Sequence, residues 1–363
     1  MKLFLVVGTR PQIIKSVPIV YEANKRGLQI EIIHTGQHYD DLMSDIFFEN
    51  FSLPKPIANL NVGSGSQGYQ TGEIIIRLEK VLMENKPDLV IVPGDTNSAL
   101  ASAIIAAKSR IPLAHIESGA RCYDMAMEEE INRRVIDHIS SILFTVSKNC
   151  KDNLLKENVL GHIIFSGDTM FEVYEKSLPK ILENDILDRL KLKPKEYFVL
   201  TIHREENVED PVKLLSVLKA ITLLGEKVVF PAHPRTRNKL TQIGVKINHE
   251  NLIFINPLDY FSMMKLVKES MLVITDSGGL QKEAFWSKVP CITLRKRTEW
   301  VETVELGVNF LADVEKNKVI NLVRSIINNY DEIIARLRKV YNPYVNAGLI
   351  PSKVIMDSII SVH

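Results

Sequence analysis

The sequence predicts an α/β protein built from two doubly wound parallel sheets. Short apolar runs rich in Val, Ile and Leu alternate with longer stretches of helical period, which is typical of parallel strands covered by helices on both faces. The alternation pauses near residue 190 and then restarts. A chain of 363 residues also has the length of two domains of ordinary size.

The first half contains six predicted strands, each a short apolar run, near 2–7, 28–33, 88–92, 111–115, 142–145 and 162–166. Stretches of helical period lie between and after them, near 11–26, 39–50, 68–86, 97–109, 128–140 and 147–156. Strands joined through a helix run parallel in one sheet. These elements predict a first domain over residues 1–169.

The second half repeats the pattern, with strands near 197–201, 227–231, 252–255, 271–275 and 290–294. Its predicted helices lie near 210–223, 259–269, 278–287 and 315–340. Residues 170–193 have the composition of a helix that leaves the first sheet, with Pro179 and Pro194 as punctuation, and are predicted to link the domains. The second domain is therefore placed at 170–350. A short helix over 351–363 must pack on one of the two domains.

The composition excludes several classes of protein. Lys plus Arg number 45 against 44 Asp plus Glu, and this balance gives no general field for nucleic acid or a membrane surface. The apolar run at the amino terminus is too short to span a bilayer. The three cysteines, Cys122, Cys150 and Cys291, are far apart, which indicates a reducing, cytoplasmic setting without a structural zinc site.

Polar residues follow most of the predicted strands. Ligands of open α/β sheets bind outside the carboxyl ends of the strands, and two such sheets facing one another would form a cleft there. The polar strand ends are Gly8-Thr9-Arg10, Thr35-Gly36-Gln37-His38, Gly94-Asp95-Thr96, His115-Ile116-Glu117, His203-Arg204, His233-Pro234-Arg235 and Asp276-Ser277-Gly278-Gly279. The histidines among them are scattered and lack a metal-binding spacing.

Three carboxylates, Asp95, Glu117 and Glu129, lie at strand ends or helix starts of the first domain. Carboxylates on opposite faces of a substrate allow one to remove a proton and another to return it. Two structural alternatives compete with this interpretation. Asp95 is well placed to cap a helix. Glu129 has Arg133 four residues later, so the two could simply stabilise a helix.

The turn from Asp276 to Gly279 joins an apolar strand to a helix and favours a phosphate site. Glycines let the backbone approach a ligand closely, and free N–H groups at a helix start attract anions. Glu283, one turn into the helix, could reach a ribose diol. The alternative is a plain turn in which Ser277 caps the helix. The sequence lacks the GxGxxG and GxxxxGK[ST] motifs, so it indicates no nicotinamide or P-loop site.

Two further groups fit an anion. Arg10 and Lys15 lie near the start of the first helix, where a bound anion would offset their unfavourable interaction with the helix dipole, although a solvated basic turn is the alternative. His203, beside a bound diphosphate, could donate a proton to a leaving oxygen.

The ordered motifs of the chain resemble the non-hydrolysing UDP-N-acetylglucosamine 2-epimerases. The motifs are GTRPQIIK, TGQH, GDTNS, HIESGAR, EEEINR, HREEN, HPRT and TDSGGLQKEA followed by TEWVE. Each is weak alone, but together they cover nearly the whole chain in the family's order and spacing.

This resemblance implies a fold and a reaction. Family members have the two-domain fold of B-type glycosyltransferases, a substrate cleft between the domains, a C-terminal helix that crosses back to the first domain, and usually a homodimeric assembly. They invert C2 of a UDP-2-acetamido sugar without a redox cofactor or metal. UDP is eliminated to give a 2-acetamidoglycal and is then added back as a proton arrives on the other face.

The resemblance also assigns roles to residues. Asp95, Glu117 and Glu129 correspond to acid/base carboxylates, and His203 to the group that assists the departing UDP. The diphosphate would be bound by Arg10, Lys15, Ser277, Gly278 and Gly279, and the ribose by Glu283. Asn132 and Arg133 would line the sugar pocket, with Arg295, Glu299 and Glu302 at the border of the cleft. His233, Arg235 and Asp276 are further substrate-binding candidates at their strand ends.

Departures from the family pattern leave the sugar open. Gln12 and the TEWVE segment resemble the branch that epimerises UDP-2,3-diacetamido-2,3-dideoxyglucuronic acid, whereas HPRT and TGQHY are shared with ordinary archaeal-type epimerases. Glu128 stands where the family has Pro. Tyr39 stands where bacterial enzymes have an allosteric Arg. A glycosyltransferase of the same fold, a hydrolysing relative and a non-catalytic nucleotide-sugar sensor are the competing hypotheses.

Overall fold

A computed structural model describes residues 1–37, 47–244 and 249–362. The chain divides into two compact units. The first contains Met1–Lys176 and Pro343–His363, and the second contains Ser177–Asn342. The sequence places the boundaries after residues 169 and 350 instead, and that division into domains stays a prediction.

The first unit contains a seven-stranded parallel sheet in the order β3-β2-β1-β4-β5-β6-β7. Its strands are β1 (Lys2–Val7), β2 (Gln29–His34), β3 (Ala58–Asn59), β4 (Leu89–Pro93), β5 (Leu113–Ser118), β6 (Ile142–Thr145) and β7 (His162–Phe165). Its helices are α1 (Arg10–Lys25), α2 (Gln67–Asn85), α3 (Asn97–Lys108), α4 (Glu128–Ile139) and α5 (Lys148–Glu157). Helix α6 (Thr169–Glu183) begins in this unit and ends in the second.

The second unit contains a six-stranded parallel sheet in the order β10-β9-β8-β11-β12-β13. Its strands are β8 (Phe198–Thr201), β9 (Val228–Pro231), β10 (Leu252–Ile255), β11 (Leu272–Thr275), β12 (Cys291–Thr293) and β13 (Asn309–Leu311). Its helices are α7 (Ile186–Arg189), α8 (Glu205–Val208), α9 (Pro211–Leu224), α10 (Pro234–Gln242), α11 (Tyr260–Glu269), α12 (Gly278–Trp286), α13 (Val301–Glu305), α14 (Lys316–Asn328) and α15 (Tyr330–Lys339).

The chain then returns to the first unit and ends in α16 (Pro351–Val362), which contacts α1. The carboxylate of Glu172 on α6 anchors the first turn of α16. It accepts hydrogen bonds from the backbone N–H and the hydroxyl of Ser352, at 2.9 and 2.8 Å. An acidic group at this end complements the helix dipole.

The prediction of two parallel α/β sheets is confirmed. Every predicted strand is present, with ends that differ by a few residues. The strands β3 and β13 and the helices α7, α8 and α13 were not predicted, because they are too short to show a period, and neither was the nine-residue polar helix α10. The helix expected near 315–340 is two helices that meet at Asn329, a residue type that favours helix ends. The helix expected near 39–50 falls mostly outside the described ranges, as do His38 and Tyr39.

The central strands are buried on both faces. Leu3, Phe4, Leu5 and Val6 of β1 are completely inaccessible to solvent, as are Val90, Ile91 and Val92 of β4. This explains why these strands read as continuous apolar runs. In each sheet the order reverses beside the first strand, between β1 and β4 and between β8 and β11. Loops diverge at such a switch point and leave a crevice at the carboxyl ends.

Candidate active site

Two of the predicted acid/base residues of the first unit, Asp95 and Glu117, lie at the carboxyl ends of β4 and β5. Glu117 lies in β5 with a φ of 69°, a left-handed conformation that is uncommon for a residue with a side chain. The pairing of β5 with β6 passes from Ile116 to Ser118 with a register shift, so Glu117 is the extra residue of a bulge. Bulges and strained backbone are enriched next to active sites, where they redirect a side chain.

Lys15 and Glu117 form a buried ion pair. The Lys15 Nζ to Glu117 Oε1 distance is 2.6 Å, and the two side chains are 10 % and 8 % exposed. Gly94 follows β4 with a φ of 71°, and a Cβ there would lie 3.2 Å from Lys15 Nζ. The resemblance assigns Lys15 to a diphosphate. That role stays a prediction, since its ammonium group pairs with Glu117 in this structure.

Asp95 does not cap the helix that follows it. Thr96 does so, because its hydroxyl accepts the N–H of Ala99 at 3.3 Å. The Asp95 carboxylate instead lies 2.5 Å from Arg133 Nη2. Burial raises the pKa of this carboxyl, as do the nearby Glu129 and Glu117, while Arg133 and Lys15 act in the opposite direction. A carboxyl with an elevated pKa can hold a proton and release it.

Helix α4 supplies the remaining groups around Asp95. Glu129 lies in its first turn and is half-buried. Asn132 donates from Nδ2 to the backbone carbonyl of Asp95 at 2.9 Å. Arg134 of the same helix contacts the fully buried Glu130 at 3.1 Å. The structure therefore brings Asp95, Glu117, Glu129, Asn132, Arg133 and Lys15 together.

Gln12 ties the ends of β1 and β4 to each other. Its side-chain oxygen accepts the backbone N–H of Gly8 at 2.9 Å, and its amide nitrogen donates to the carbonyl of Pro93 at 2.8 Å. Arg10 is exposed at the start of α1, with its guanidinium 5.4 Å from the centre of the Phe47 ring. The assignment of Arg10 to an anion stays a prediction.

Sequence reasoning missed a set of polar side chains beneath these carboxylates. Asp137 of α4 is fully buried and contacts His115 at 2.7 Å and Arg121 at 2.7 Å. Arg121 in turn pairs with Glu157 at 2.7 Å. The sequence did contain a signal for Asp137, which falls on the apolar side of its helix. A carboxylate in such a place is buried only when it is paired.

In the second unit, Asp276 organises the end of β8. Its carboxylate accepts the backbone N–H groups of His203 and Arg204 at 3.1 and 3.0 Å and the amide of Asn207 at 3.1 Å. Burial alone would raise the pKa of Asp276, but the His203 imidazole and these hydrogen bonds lower it to about 2. A carboxylate occupied in this way is a structural support for its loop.

The two strand-end histidines of this unit lie side by side. His203 Nδ1 is 3.1 Å from Asp276 Oδ1, and the His203 side chain is 40 % exposed. The His203 and His233 ring centres are 6.1 Å apart. His233 also caps α10, because its Nδ1 accepts the N–H of Arg235 at 3.2 Å. The Asp276 contact orients His203 in the way that a carboxylate orients a catalytic imidazole.

The Asp276–Gly279 turn leads into α12. Ser277 caps this helix, since its Oγ accepts the N–H of Leu280 at 3.4 Å, and its assignment to a diphosphate stays a prediction. A Cβ at Gly278 would lie 2.6 Å from Glu299 Oε1, so a larger residue there would have to displace that carboxylate. Glu283 is 7 % exposed. Contacts of Gly279 and Glu283 with a nucleotide stay predictions.

Arg295 follows β12 and is committed to an ion pair. Its Nη2 lies 2.9 Å from Glu299 Oε2, and both side chains are almost fully buried. Arg235 forms an exposed pair with Glu205 at 3.5 Å. Within the described ranges, no group of three or more His, Cys, Asp or Glu side chains is arranged to share a metal ion.

The two sets of residues are suited to different chemistry. In the first unit, three carboxylates with cationic neighbours lie close together near the strand ends, and such groups can transfer protons. In the second, an oriented histidine and a glycine-containing helix start can bind an anion. Among the helices that the structure describes, none has both the length and the apolar character needed to cross a bilayer.

Comparisons with known proteins agree with this geometry. The sequence model of the family described as UDP-N-acetylglucosamine 2-epimerase matches residues 22–349. The UDP-N-acetylglucosamine 2-epimerase of Methanocaldococcus jannaschii is 43% identical over 90% of this chain and 93% of that protein. The UDP-2,3-diacetamido-2,3-dideoxy-D-glucuronate 2-epimerase of Pseudomonas aeruginosa is 39% identical over 90% of this chain and 92% of that protein.

Solved structures agree as well. A crystal structure of the M. jannaschii enzyme in complex with UDP-GlcNAc and UDP matches with a TM-score of 0.91, 40% identity and complete coverage of both chains. A crystal structure described as the glycotransferase of kitacinnamycin matches with a TM-score of 0.62 at 11% identity, which is a likeness of fold alone and supports the B-type glycosyltransferase fold. The chain belongs to the UDP-N-acetylglucosamine 2-epimerase family.

Proposed function

We propose that this protein inverts C2 of UDP-N-acetylglucosamine to give UDP-N-acetylmannosamine. The observation that carries the proposal is the group of Asp95, Glu117 and Glu129 at one switch point, with Lys15 and Arg133 as counter-ions. Epimerisation at a carbon requires removal of a proton from one face and its return to the other. A single base cannot do both, but a set of carboxylates around one crevice can.

The reaction proceeds in two balanced halves. One carboxylate takes the C2 proton, the C1–O bond breaks, and UDP leaves with the bonding electrons to give a 2-acetamidoglycal. A diphosphate oxygen then re-forms the bond to C1 while another carboxylic acid delivers a proton to the opposite face of C2. Burial raises the pKa of Asp95 above its ordinary value, which favours the protonated form and suits this carboxyl to return a proton.

The second unit would bind the nucleotide. His203, oriented by Asp276, is proposed to donate to the departing UDP oxygen. The diphosphate is assigned to Arg10, Lys15, Ser277, Gly278 and Gly279, and the ribose to Glu283. The proposed contacts to the rest of the substrate come from Asn132, Arg133, His233, Arg235, Asp276 and Arg295.

A second candidate substrate is UDP-2,3-diacetamido-2,3-dideoxyglucuronic acid. The TEWVE segment favours it, and the P. aeruginosa relative bears that activity in its name. Trp300 of this segment is 2 % exposed, and the Lys282 ammonium lies 3.8 Å from the centre of its ring. This packing holds the TEWVE segment, which contains Glu299 and follows Arg295, in place.

Proton NMR in D2O tests both substrates. UDP-N-acetylglucosamine is incubated with the protein without metal or acceptor, and the anomeric region and H2 signal are followed. We expect the UDP-N-acetylmannosamine anomeric signal together with loss of H2. Exchange with the diacetamido uronic acid substrate alone would move the enzyme to that branch. Accumulation of free UDP would indicate the hydrolysing relative, and silence with both substrates would favour a transferase or a sensor.

Two further expectations belong to this proposal. A homodimer is expected, and light scattering after size-exclusion chromatography measures it. A cytoplasmic location is also expected, and it agrees with three buried cysteines that form no disulfide. Cell fractionation tests that location.

A further inference from the structure

Beneath the proposed catalytic carboxylates, His115 of β5 and Asp137 of α4 form a fully buried pair. Their Nδ1 and Oδ1 atoms are 2.7 Å apart, and both side chains are 0 % exposed. Burying ionisable groups is costly unless each finds a partner for its hydrogen bonds. The contacts of the buried pair, which lies under the ends of β4 and β5, indicate its role.

Each ring nitrogen of His115 has a hydrogen-bond partner within the protein. Its Nε2 lies 2.9 Å from the carbonyl oxygen of Gly94, which can only accept, so Nε2 carries a hydrogen. Its Nδ1 faces Asp137, whose other oxygen accepts Arg121 Nη1 at 2.7 Å and the backbone N–H of Gly119 at 3.1 Å. An arginine at that distance keeps the carboxylate ionised.

Both ring nitrogens of His115 are therefore used within the protein. This distinguishes His115 from His203, the histidine beside Asp276, whose ring is partly exposed. An Asp–His pair can serve as a base only when the second ring nitrogen is available to a substrate. The pair at His115 contacts backbone on that side. Although burial raises the pKa of Asp137, His115 and Arg121 lower it overall.

The His115–Asp137 pair contacts a residue close to each of two proposed acid/base residues, Asp95 and Glu117. Gly94, which accepts from His115, directly precedes Asp95. Gly119, which donates to Asp137, lies two residues after Glu117. On its other side, Gly119 is so close to Cys150 that a Cβ would lie 2.2 Å from that carbonyl oxygen. Gly119, two residues after the left-handed Glu117, is thus held from both sides. A strained backbone conformation persists only where its surroundings enforce it.

Charged groups of opposite sign alternate around the pair. Arg121 is cationic and lies between the anionic Asp137 and Glu157, and His115 faces Asp137 from the other side. Asp95 itself faces a different set of charged groups, namely Arg133, Lys15, Glu129 and Glu117. Removing the negative charge of Asp137 would take a charged partner from Arg121 and release Gly119.

We propose that His115 and Asp137 are positioning residues for the proposed epimerisation: together they set the spacing of the Asp95 and Glu117 loops without contacting the substrate. The inference rests on the proposed function. It predicts an effect on the chemical step, because a catalytic group displaced by about 1 Å can cost about 100-fold in rate. It predicts little effect on substrate binding, since the side chains that would contact the substrate are unchanged.

The test is Asp137→Asn, with Glu172→Gln as a matched control. Both substitutions convert a buried carboxylate that accepts a backbone N–H into an amide, but Glu172 supports α16, not the strand ends. For D137N we expect kcat to fall about 100-fold with KM within about threefold of the wild type. E172Q should lose thermal stability and keep its kcat. Equal kcat losses in both variants, a D137N effect confined to KM, or an unchanged D137N would overturn the proposal.

A second readout does not depend on activity. Protein labelled with ¹⁵N-histidine should show one histidine ring N–H that is protected from exchange with solvent, because the buried Nε2 of His115 donates to the Gly94 carbonyl, and His115→Gln should remove that signal. A ring N–H of His115 that exchanges freely would overturn the proposal. If D137N does not fold, H115Q takes its place in the kinetic comparison under the same criteria. Wild-type protein inactive on both UDP-sugars would reject the proposed function, whereas active wild type beside equally active variants would reject only the positioning role.

Discussion

Asp95 in the first unit and Asp276 in the second occupy equivalent places, because each follows the strand next to the first strand of its sheet. Their surroundings are opposite. Asp95 has the side chain of Arg133 as its close partner, and burial raises its pKa. Asp276 accepts two backbone N–H groups and the side-chain N–H of Asn207, and these bonds together with the adjacent His203 lower its pKa to about 2 despite its burial.

This difference separates a group that can react from a group that supports a loop. A side-chain counter-ion can move when a ligand arrives, and a carboxyl with an elevated pKa can gain and lose a proton. Backbone donors cannot move without unfolding the loop, so Asp276 stays ionised. The same sheet topology thus provides acid/base groups in one unit and a fixed frame for His203 in the other.

The strongest test of this comparison is Glu117→Gln in the first unit. The amide cannot take a proton, so we expect kcat to fall about 1,000-fold while the affinity for UDP stays near that of the wild type. C2 exchange by NMR and calorimetric titration with UDP measure the two quantities. Glu31→Gln is the control, because Glu31 also pairs with a lysine, Lys2, at 3.3 Å but lies on β2 away from the strand ends. Wild-type turnover by E117Q would remove Glu117 from the mechanism.

Asp276→Asn tests the supporting role in the second unit. A depressed pKa means that the ionised carboxylate stabilises the fold, and a shift from 3.8 to about 2 corresponds to about 2 kcal/mol. That stability is present above the unfolded pKa, near pH 4, and is lost as pH falls through about 2. Thermal melts should therefore show D276N less stable at pH 7, with a gap that narrows below pH 4. A gap independent of pH would show that the charge of Asp276 is not the cause.

Ser277→Ala measures how much the helix start contributes to nucleotide binding. Loss of one donor to a charged diphosphate costs about 1.5–3 kcal/mol, so the Kd for UDP should rise at least about tenfold. Ser66→Ala is the matched control, because Ser66 caps α2 through an N–H to Oγ contact of the same 3.4 Å as in Ser277. Both variants should lose about 1 kcal/mol of helix capping. An unchanged UDP affinity in S277A would place the diphosphate elsewhere.

Glu205→Gln should have the smallest effect. Its contact with Arg235 is 3.5 Å long, and the side chains are 66 % and 40 % exposed, so solvent screens the pair. We expect the melting temperature to change by less than about 1 °C. A larger fall in melting temperature would mean that this surface pair, like Asp276, supports the structure of the second unit.

Much of the site could be predicted because its residues follow buried strands. The apolar runs located β4, β5 and β11, and Asp95, Glu117 and Asp276 then fell at or beside their carboxyl ends. The partners of these carboxylates could not be predicted in this way. Lys15 and Glu117 are far apart in the chain, and no local pattern records that pairing. Asp137 was missed because a helix period marks which face is buried but not which polar side chain finds a partner there.

The sequence by itself determined the two parallel sheets, the strand-end positions of the candidate residues and the family, since hydrophobic period and ordered motifs are local properties. Only the tertiary structure decided how those residues are used. It paired Arg133 with Asp95, committed Arg295 to Glu299, and buried His115 between Asp137 and a carbonyl. The physical reason is that charge and protonation depend on neighbours brought together by folding, and the energy of a buried ion depends on those neighbours more than on its own identity.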